Sequence, residues 1–252
     1  LVATDIGGTF TDLVYAKIDP ATGQLNDITS IKTDTTPASL EKGVLNAIQL
    51  SDVAISEIDR FIHGATVVIN ALTERKGSKT GLITTRGFRD TLEIQRGNRP
   101  ALYDFRYSKP KPFIPRYLRC EITERIDYLG RVQKAILLEE LDKIIELFRA
   151  EEVESIAVCL LHAYANPKHE QKITERIKKN WPEFSVVASH QITREWREYE
   201  RSTTTALAAY VLPKTKQYLN KLSSALKQND FSGRAYAMQS NGGIDSFEAA
   251  GS

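Results

Sequence analysis

Two adjacent glycines between apolar segments constrain the fold of this chain more than any other feature of its sequence. Residues 4 to 12 read Thr-Asp-Ile-Gly-Gly-Thr-Phe-Thr-Asp, and they lie between an apolar start and a second apolar run at 13–15. This pattern predicts a strand, a glycine turn and a second strand. Because glycine has no Cβ, Gly7 and Gly8 allow left-handed dihedrals in the turn and a close approach of a ligand to the main chain.

The polar residues around this turn favour a phosphate ligand. Turn amides can donate to phosphate oxygens, and four side chains beside them carry hydroxyl or carboxylate oxygens: Asp5, Thr9, Thr11 and Asp12. Such a donor set suits a Mg²⁺-nucleotide better than a free anion. The sequence has neither the G-x-G-x-x-G of a dinucleotide fold nor the G-K-[ST] of a Walker loop. The alternative is a plain hairpin, in which the glycines serve only the turn and the threonines only the strands.

The composition predicts an ordered protein that binds a small molecule. Of the 252 residues, 41% are hydrophobic and 26% are charged, which is enough apolar material for one large or two modest domains. The net charge is only +2, so no strong field favours nucleic acid or anionic lipid. No apolar run approaches the roughly 20 residues that span a bilayer, and the chain opens on a predicted strand rather than a targeting segment. We therefore expect a cytoplasmic protein without a nucleic-acid or membrane partner.

The cysteines and the chain ends lead to two further expectations. Cys120 and Cys159 lie in different apolar segments without C-x-x-C spacing, which predicts buried free thiols rather than a zinc site or a disulfide framework. The sequence has no initiator methionine, and Met238 is its only methionine. We therefore expect a piece of a longer protein that is inactive on its own.

The first 85 residues predict a nucleotide-binding sheet. After the hairpin we expect a third strand at 28–33, a helix beginning at Pro37, a strand at 60–63, a helix at 67–75 and a strand at 81–84. This order predicts a mixed five-stranded sheet with its meander first and its parallel crossovers after it. That arrangement is the one found in ribonuclease-H-like nucleotide-binding domains.

The remaining sequence predicts three further parts. Four prolines make 86–135 an irregular insertion, and alternating helices and strands make 136–195 a second α/β unit. Residues 196–252 predict a long connector helix, broken or kinked near Pro213, and then the start of a further lobe with a strand at 235–239. A second glycine turn follows at Asn241, Gly242 and Gly243, where the chain either approaches a nucleotide or simply turns.

Four blocks of the sequence carry a resemblance to a known family. They are TDIGGTFTD at 4–12, HGATVVINALTERKG at 63–77, GLITTRGFRDTLEIQRGNRPALYD at 81–104 and REYERS at 197–202. In this order they resemble the N-terminal domain of the hydantoinase A and 5-oxoprolinase family, and the closing SNGG resembles the start of the family's next domain. The resemblance covers nearly the whole chain.

The resemblance implies an actin, Hsp70 and sugar-kinase type of fold, with ATP and Mg²⁺ or another divalent metal held between two lobes. It further implies that ATP activates an amide or carbonyl oxygen by phosphorylation. Hydantoinases and oxoprolinases then hydrolyse a cyclic amide, whereas acetone and acetophenone carboxylases instead capture a carboxyl group. Many members work beside a hydantoinase B-type subunit or domain. We expect the hydrolase outcome, with the ketone carboxylase and a non-catalytic lobe of the same fold as alternatives.

The turn residues take roles in this chemistry. Asp5 is the candidate catalytic and metal-binding residue, while Asp12 either acts with the metal, acts as a base or satisfies local donors. Gly7, Gly8, Thr9 and Thr11 are expected to hold the phosphates.

Five downstream residues are candidate substrate contacts. His63 lies at the end of a predicted parallel strand, where it is either a substrate or phosphate contact or a core histidine. The family's usual HGTT reads HGAT here, so one of its two hydroxyl groups is lost and Thr66 carries the other. Thr66 is either a ligand group or a helix cap. Asn70 follows one helical turn later. Arg96 and Arg99 carry donors for a carboxylate or imide oxygen, unless solvent or acidic residues pair with them. The charged run at 195–201 predicts ion pairs rather than acid–base catalysis.

Overall fold

The chain forms two compact units, one of them discontinuous. The computed structural model describes residues 1–37, 39–97, 103–239 and 242–250. The first unit combines Leu1–Lys76 with Lys214–Ser252, and the second is the continuous stretch Gly77–Pro213. These divisions differ from the boundaries at 85, 135 and 195 that the sequence suggests.

The described residues form strands and helices that are numbered here in chain order. The strands are β1 (Val2–Ile6), β2 (Phe10–Ile18), β3 (Leu25–Asp34), β4 (Arg60–Ala65), β5 (Thr80–Thr85), β6 (Arg119–Ile122), β7 (Arg125–Ile126), β8 (Val132–Lys134), β9 (Ser155–Cys159), β10 (Ser185–Ala188), β11 (Arg234–Met238) and β12 (Ile244–Ser246). The helices are α1 (Leu40–Leu50), α2 (Val67–Thr73), α3 (Thr91–Ile94), α4 (Glu140–Ala150), α5 (Lys168–Asn180), α6 (Ser189–Ile192), α7 (Glu198–Gln228) and α8 (Phe247–Ala250).

The first unit is built on a mixed sheet in the order β12-β11-β4-β1-β2-β3. Strands β1, β2 and β3 form the predicted antiparallel meander, and β4 runs parallel to β1. The prediction that β5 follows β4 in this sheet is wrong, because β11 pairs with the free edge of β4 instead. Consecutive strands are neighbours only about two-thirds of the time, and here the chain leaves the sheet after α2.

One face of this sheet carries the core of the first unit. Apolar residues of β1, β2, α1 and the second half of α7 pack together, and they include Val2, Ile6, Leu13, Val44, Ile48, Leu219, Leu222 and Leu226. Because successive side chains of a strand point to opposite faces, the residues between them lie on the other face. Asp5 and Asp12 are therefore exposed while their neighbours Ile6 and Leu13 are buried.

The second unit is built on a parallel sheet in the order β10-β9-β5-β6. Its helices α4 and α5 and its strands β9 and β10 match the predicted second α/β unit. The stretch 86–135 is not wholly irregular, because it supplies β6 at the sheet edge and the β7–β8 hairpin. Every residue of β5 is buried, as expected for a central strand of a parallel sheet covered on both faces.

Helix α7 and the two cysteines were also subjects of sequence-based predictions. The sequence predicts a helix broken or kinked near Pro213, and the observed helix continues through this proline without a break. Both cysteines are free thiols, as predicted, and burial raises the pKa of the Cys120 thiol to about 11. Within the described ranges, no helix combines the length and the apolarity needed to cross a membrane.

Candidate functional site

The predicted glycine turn joins β1 to β2 and leaves open space above one glycine. Gly7 N donates to Phe10 O over 2.9 Å, which closes the turn. Neither Gly7 nor Gly8 has a φ in the left-handed region, so the turn does not use that freedom of glycine. A Cβ placed on Gly8 would meet no atom within 4 Å, whereas one on Gly7 would lie 3.3 Å from Phe10 O. The space over Gly8 is what a ligand approaching the main chain requires.

Thr35, which the sequence interpretation missed, immediately follows β3 and stabilises this turn through hydrogen bonds. Its backbone N donates to Thr9 O over 2.8 Å, and its Oγ1 donates to Gly7 O over 3.1 Å. Two carbonyls of the turn are therefore already occupied by protein donors. No motif in the sequence marks Thr35, because its contacts join residues that lie 28 positions apart.

The amides of Gly8 and Thr9 are the unused donors of the turn. Among the described residues, neither amide donates to a protein acceptor, and both residues are exposed. With carbonyls occupied and amides open, the turn presents the positive ends of its peptide dipoles. Successive bare amides in a turn can form an anion-binding concavity.

Asp5 lies beside the turn with a carboxylate that no protein donor occupies. It is exposed, and within the described part of the chain its side chain forms no hydrogen bond or ion pair. Its register partner on β4 is Gly64, where a Cβ would lie 3.1 Å from Asp5 Oδ1. Gly64 therefore makes room for the Asp5 carboxylate, which stays available to a metal ion or to solvent.

Asp12 is paired with a lysine that the sequence interpretation also missed. Asp12 is opposite Asp5 on one side and opposite Lys32 of β3 on the other. Lys32 Nζ lies 3.2 Å from Asp12 Oδ1 and 4.9 Å from the centroid of the Phe10 ring. Side chains of 58% and 52% exposure make this a solvent-screened pair, worth about 0–1 kcal/mol.

The Thr11 side chain lies on the buried face of the sheet, not on the exposed face. It is fully buried, and its Oγ1 lies 3.1 Å from Thr35 Oγ1. The expectation that Thr11 helps to hold phosphate is corrected by this burial, since strand alternation directs its side chain to the core face. Thr9, in contrast, is exposed at the tip of the turn.

His63 is a core histidine, which is the second of its two sequence interpretations. It is 2% exposed, and its Nδ1 lies 2.7 Å from Thr4 Oγ1 while its Nε2 lies 2.6 Å from Tyr218 Oη. The Phe61 ring stacks on it with centroids 5.9 Å apart. Both ring nitrogens thus have partners within the core, Thr4 on one side and Tyr218 on the other.

Burial of His63 gives the first unit a defined pH dependence. Desolvation lowers the pKa of His63 from 6.5 to about 3. Its stabilising contribution is therefore complete above pH 6.5 and is lost as the pH falls from 6.5 towards 3, because the unfolded state binds the proton first. Between pH 6.5 and 4.5 we expect the wild type to lose about 2 kcal/mol more than a His63→Gln variant, measured by urea unfolding. Equal losses in the two proteins would contradict a neutral, buried His63.

Thr66 and Asn70 connect α2 to the end of β1. Thr66 occupies the N-cap position of α2 but makes no side-chain cap bond. Its Oγ1 instead donates to Ile6 O over 3.0 Å, and Asn70 Nδ2 lies 3.3 Å from the same Oγ1. Both residues are partly buried close to the glycine turn, because Ile6 immediately precedes Gly7.

Arg96 forms an ion pair with Glu200. It makes a two-bond contact with Glu200, with Nε 2.8 Å from Oε1 and with Nη2 bonded to Oε2. This contact is the main cause that lowers the pKa of Glu200 and raises that of Arg96. Arg201 departs from the expected ion-pair run, since it is fully buried and donates to the carbonyls of Glu195 and Leu160.

The second glycine turn lies between β11 and β12. Gly242 has a φ of 83°, and Gln239 N donates to Gly243 O over 2.8 Å. Glycine suits this position because side-chain-bearing residues rarely adopt such a φ. The candidate residues Arg99 and Asn241 lie outside the described residues.

Any metal ion at this turn would be held mainly by its ligand. They contain no group of three histidine, cysteine, aspartate or glutamate side chains placed to bind a metal ion. Mg²⁺ is usually bound by one or two carboxylates together with water and substrate phosphates. The free carboxylate of Asp5 beside two bare amides meets that requirement.

Comparisons with known proteins identify the family to which the chain is similar. Residues 1–181 match the family model described as the hydantoinase/oxoprolinase N-terminal region, and residues 201–252 match the hydantoinase/oxoprolinase model. An uncharacterized protein of Methanocaldococcus jannaschii is 40% identical over 99% of this chain and 36% of its own length. The caprolactamase subunit alpha of Pseudomonas jessenii is 30% identical over 95% of this chain and 35% of its own length. The chain thus spans about a third of the length of these relatives.

Two solved structures resemble the chain over almost its whole length. The crystal structure of ATP-dependent caprolactamase from Pseudomonas jessenii has a TM-score of 0.84 at 29% identity, covering 96% of this chain and 36% of the other. The nucleotide-free structure of acetone carboxylase has a TM-score of 0.82 at 25% identity, covering 99% and 37%. With two family models matched in sequence order, the chain belongs to the hydantoinase/oxoprolinase family.

Proposed function

We propose that this chain forms the nucleotide-facing part of an ATP-dependent enzyme that opens a cyclic amide of the hydantoin or 5-oxoproline type. The observation that carries the proposal is the turn with two bare, exposed amides beside the free carboxylate of Asp5. The match to the hydantoinase/oxoprolinase models supports the reaction class. The ATP-dependent caprolactamase is a similar protein whose name indicates a cyclic amide substrate.

Each part of the site has a task in phosphoryl transfer, which depends on positioning and on charge stabilisation. ATP supplies the phosphoryl group that makes the amide carbonyl reactive towards water. The amides of Gly8 and Thr9 are placed to donate to phosphate oxygens, and Asp5 is placed to hold Mg²⁺ directly or through water. Thr35 stabilises the conformation of the turn by donating hydrogen bonds to two of its carbonyls.

The sheet of the first unit supports a ribonuclease-H-like fold for this part of the chain. Three antiparallel strands come first, and the parallel strands β4 and β11 extend the sheet on the other side of β1. We propose that the first unit is the nucleotide-binding unit on this basis. Arg96, which lies in the second unit, remains a candidate contact for the substrate.

A Gly8→Ala variant of the full-length protein tests the phosphate site. The added Cβ meets no protein atom, and φ at Gly8 is not left-handed, so we expect an unchanged melting temperature. The same Cβ occupies the space above the turn, so we expect Mg-ATP binding by isothermal titration calorimetry to weaken about tenfold or more. Adenosine, which lacks phosphates, serves as the control ligand and is expected to bind both proteins equally.

Two outcomes would remove the proposal. One is a wild-type protein that does not bind Mg-ATP, and the other is a Gly8→Ala variant that binds it as tightly as the wild type. Measured stability separates a lost ligand contact from a damaged fold.

The likeness to acetone carboxylase keeps a ketone carboxylase as a second candidate function. The two reactions differ in their co-substrate, since carboxylation needs bicarbonate and ring opening needs only water. Turnover of a ketone that depends on bicarbonate, without hydrolysis of any cyclic amide, would select the carboxylase. Several relatives are named as subunits, so we propose a partner subunit, of hydantoinase B type, in either case.

A further inference from the structure

We propose that Lys32 is a phosphate-contacting residue, which leaves Asp12 and binds the nucleotide's terminal phosphates when they occupy the glycine turn. The inference rests on the proposed function, and it adds a residue on β3 that the glycine motif does not contain. Its ligand class is a polyphosphate, and its contact atom is Nζ.

The register of the sheet puts Lys32 on the same row as the candidate metal-binding carboxylate. Gly64, Asp5, Asp12 and Lys32 are successive partners across β4, β1, β2 and β3. Directly paired residues of neighbouring strands project to the same face, so all four lie on the exposed face of the sheet. Lys32 Nζ lies over the Phe10 ring, and Phe10 directly follows the turn residue Thr9.

The negative charges of Asp5 and Asp12 on this row favour a cation beside them. Asp5 and Asp12 are carboxylates in directly opposed positions, and like charges so placed repel each other. A polyphosphate brings further negative charge to the same face. An ammonium group that already sits beside Asp12 lowers this repulsion, and it can bond to a phosphate oxygen as a point charge.

The ion pair itself leaves Lys32 free to change partner. More than half of each side chain in the Lys32–Asp12 pair is exposed, so solvent screens the attraction and little is lost when the pair opens. Lysine has a flexible four-carbon stem and three donors, so Nζ can move by several ångströms without a change in the backbone. The backbone of β3 is in turn fixed to the turn by Thr35, three residues beyond Lys32.

A matched pair of lysine variants tests the assignment in the full-length protein. Lys17 forms the same kind of exposed pair between β2 and β3, with its Nζ 3.7 Å from Asp27 Oδ2, but at the opposite end of these strands. We expect Lys32→Met to weaken Mg-ATP binding about ten- to a hundredfold by calorimetry, and Lys17→Met to leave it unchanged. Lys32→Arg, which keeps the positive charge, is expected to retain most of the affinity.

The outcomes separate this inference from the proposed function. Wild-type protein that fails to bind Mg-ATP refutes the function itself. Wild-type binding with an equally tight Lys32→Met variant overturns only the role of Lys32. Equal weakening by Lys32→Met and Lys17→Met also overturns it, because the effect is then general electrostatics. The side chain of Lys32 is 58% exposed, so its removal is expected to leave the melting temperature unchanged, which the same samples report.

Discussion

Replacing Asp5 by alanine in the full-length protein is expected to reduce the proposed ATP-dependent opening of a cyclic amide about 100- to 1,000-fold in kcat. Asp5 is the carboxylate beside the bare turn amides, and it has no protein partner in the described residues. Its removal takes away the carboxylate that we propose holds Mg²⁺ beside the phosphates. Because the side chain is exposed and unpaired, the loss is expected without a change in folding stability.

The measurement is steady-state ring opening with saturating Mg-ATP, together with release of phosphate. Asp59→Ala is a suitable control, since Asp59 is an exposed carboxylate of the same unit whose one ion pair within the described residues is with the adjacent Arg60. We expect the control to turn over at the wild-type rate. Ring opening at an unchanged rate in Asp5→Ala would exclude the proposed role of this carboxylate.

Replacing Gly233 by alanine is expected to destabilise the first unit by roughly 3 kcal/mol or more. A Cβ at this position would lie 2.1 Å from Ile58 O and 2.5 Å from Asp59 O. These are backbone atoms at the entrance to β4, so they cannot move aside as the end of a long side chain can. The added methyl therefore separates β11 from β4 at the point where Arg234 N donates to Asp59 O over 2.8 Å.

Hydrogen exchange measured on peptides from β4 and β11 reports this effect where it arises. We expect faster exchange there in Gly233→Ala and wild-type exchange in Gly8→Ala, where the same added methyl meets no atom within 4 Å. Protection that stays equal in all three proteins would show that β11 does not depend on close approach to β4.

The sequence predicts the parts of the site that rest on local pattern. The hairpin around Gly7 and Gly8 is confirmed, because its strands and turn are contiguous and their residue types determine the pairing. The same locality explains why β4, α2 and the elements of the second unit were placed correctly. Periodicity reports neighbours along the chain, and these elements depend on little else.

Contacts between distant residues were not predictable in the same way. The roles of Thr35 and Lys32 depend on the register between β2 and β3, which a single sequence does not define. The sequence alone does not decide between the two interpretations of His63, because its partner Tyr218 lies 155 positions further along the chain. The pairing of β4 with β11 was missed for the same reason, and it removed β5 from the predicted sheet.

The discontinuous first unit has a consequence for protein synthesis. Strand β4 receives its neighbour β11 only after the whole of Gly77–Pro213 has been made. Proteins fold domain by domain as they leave the ribosome, and contacts between distant segments form late. The continuous unit therefore has all of its strands available first, while the outer edge of β4 stays uncovered until translation has passed residue 238.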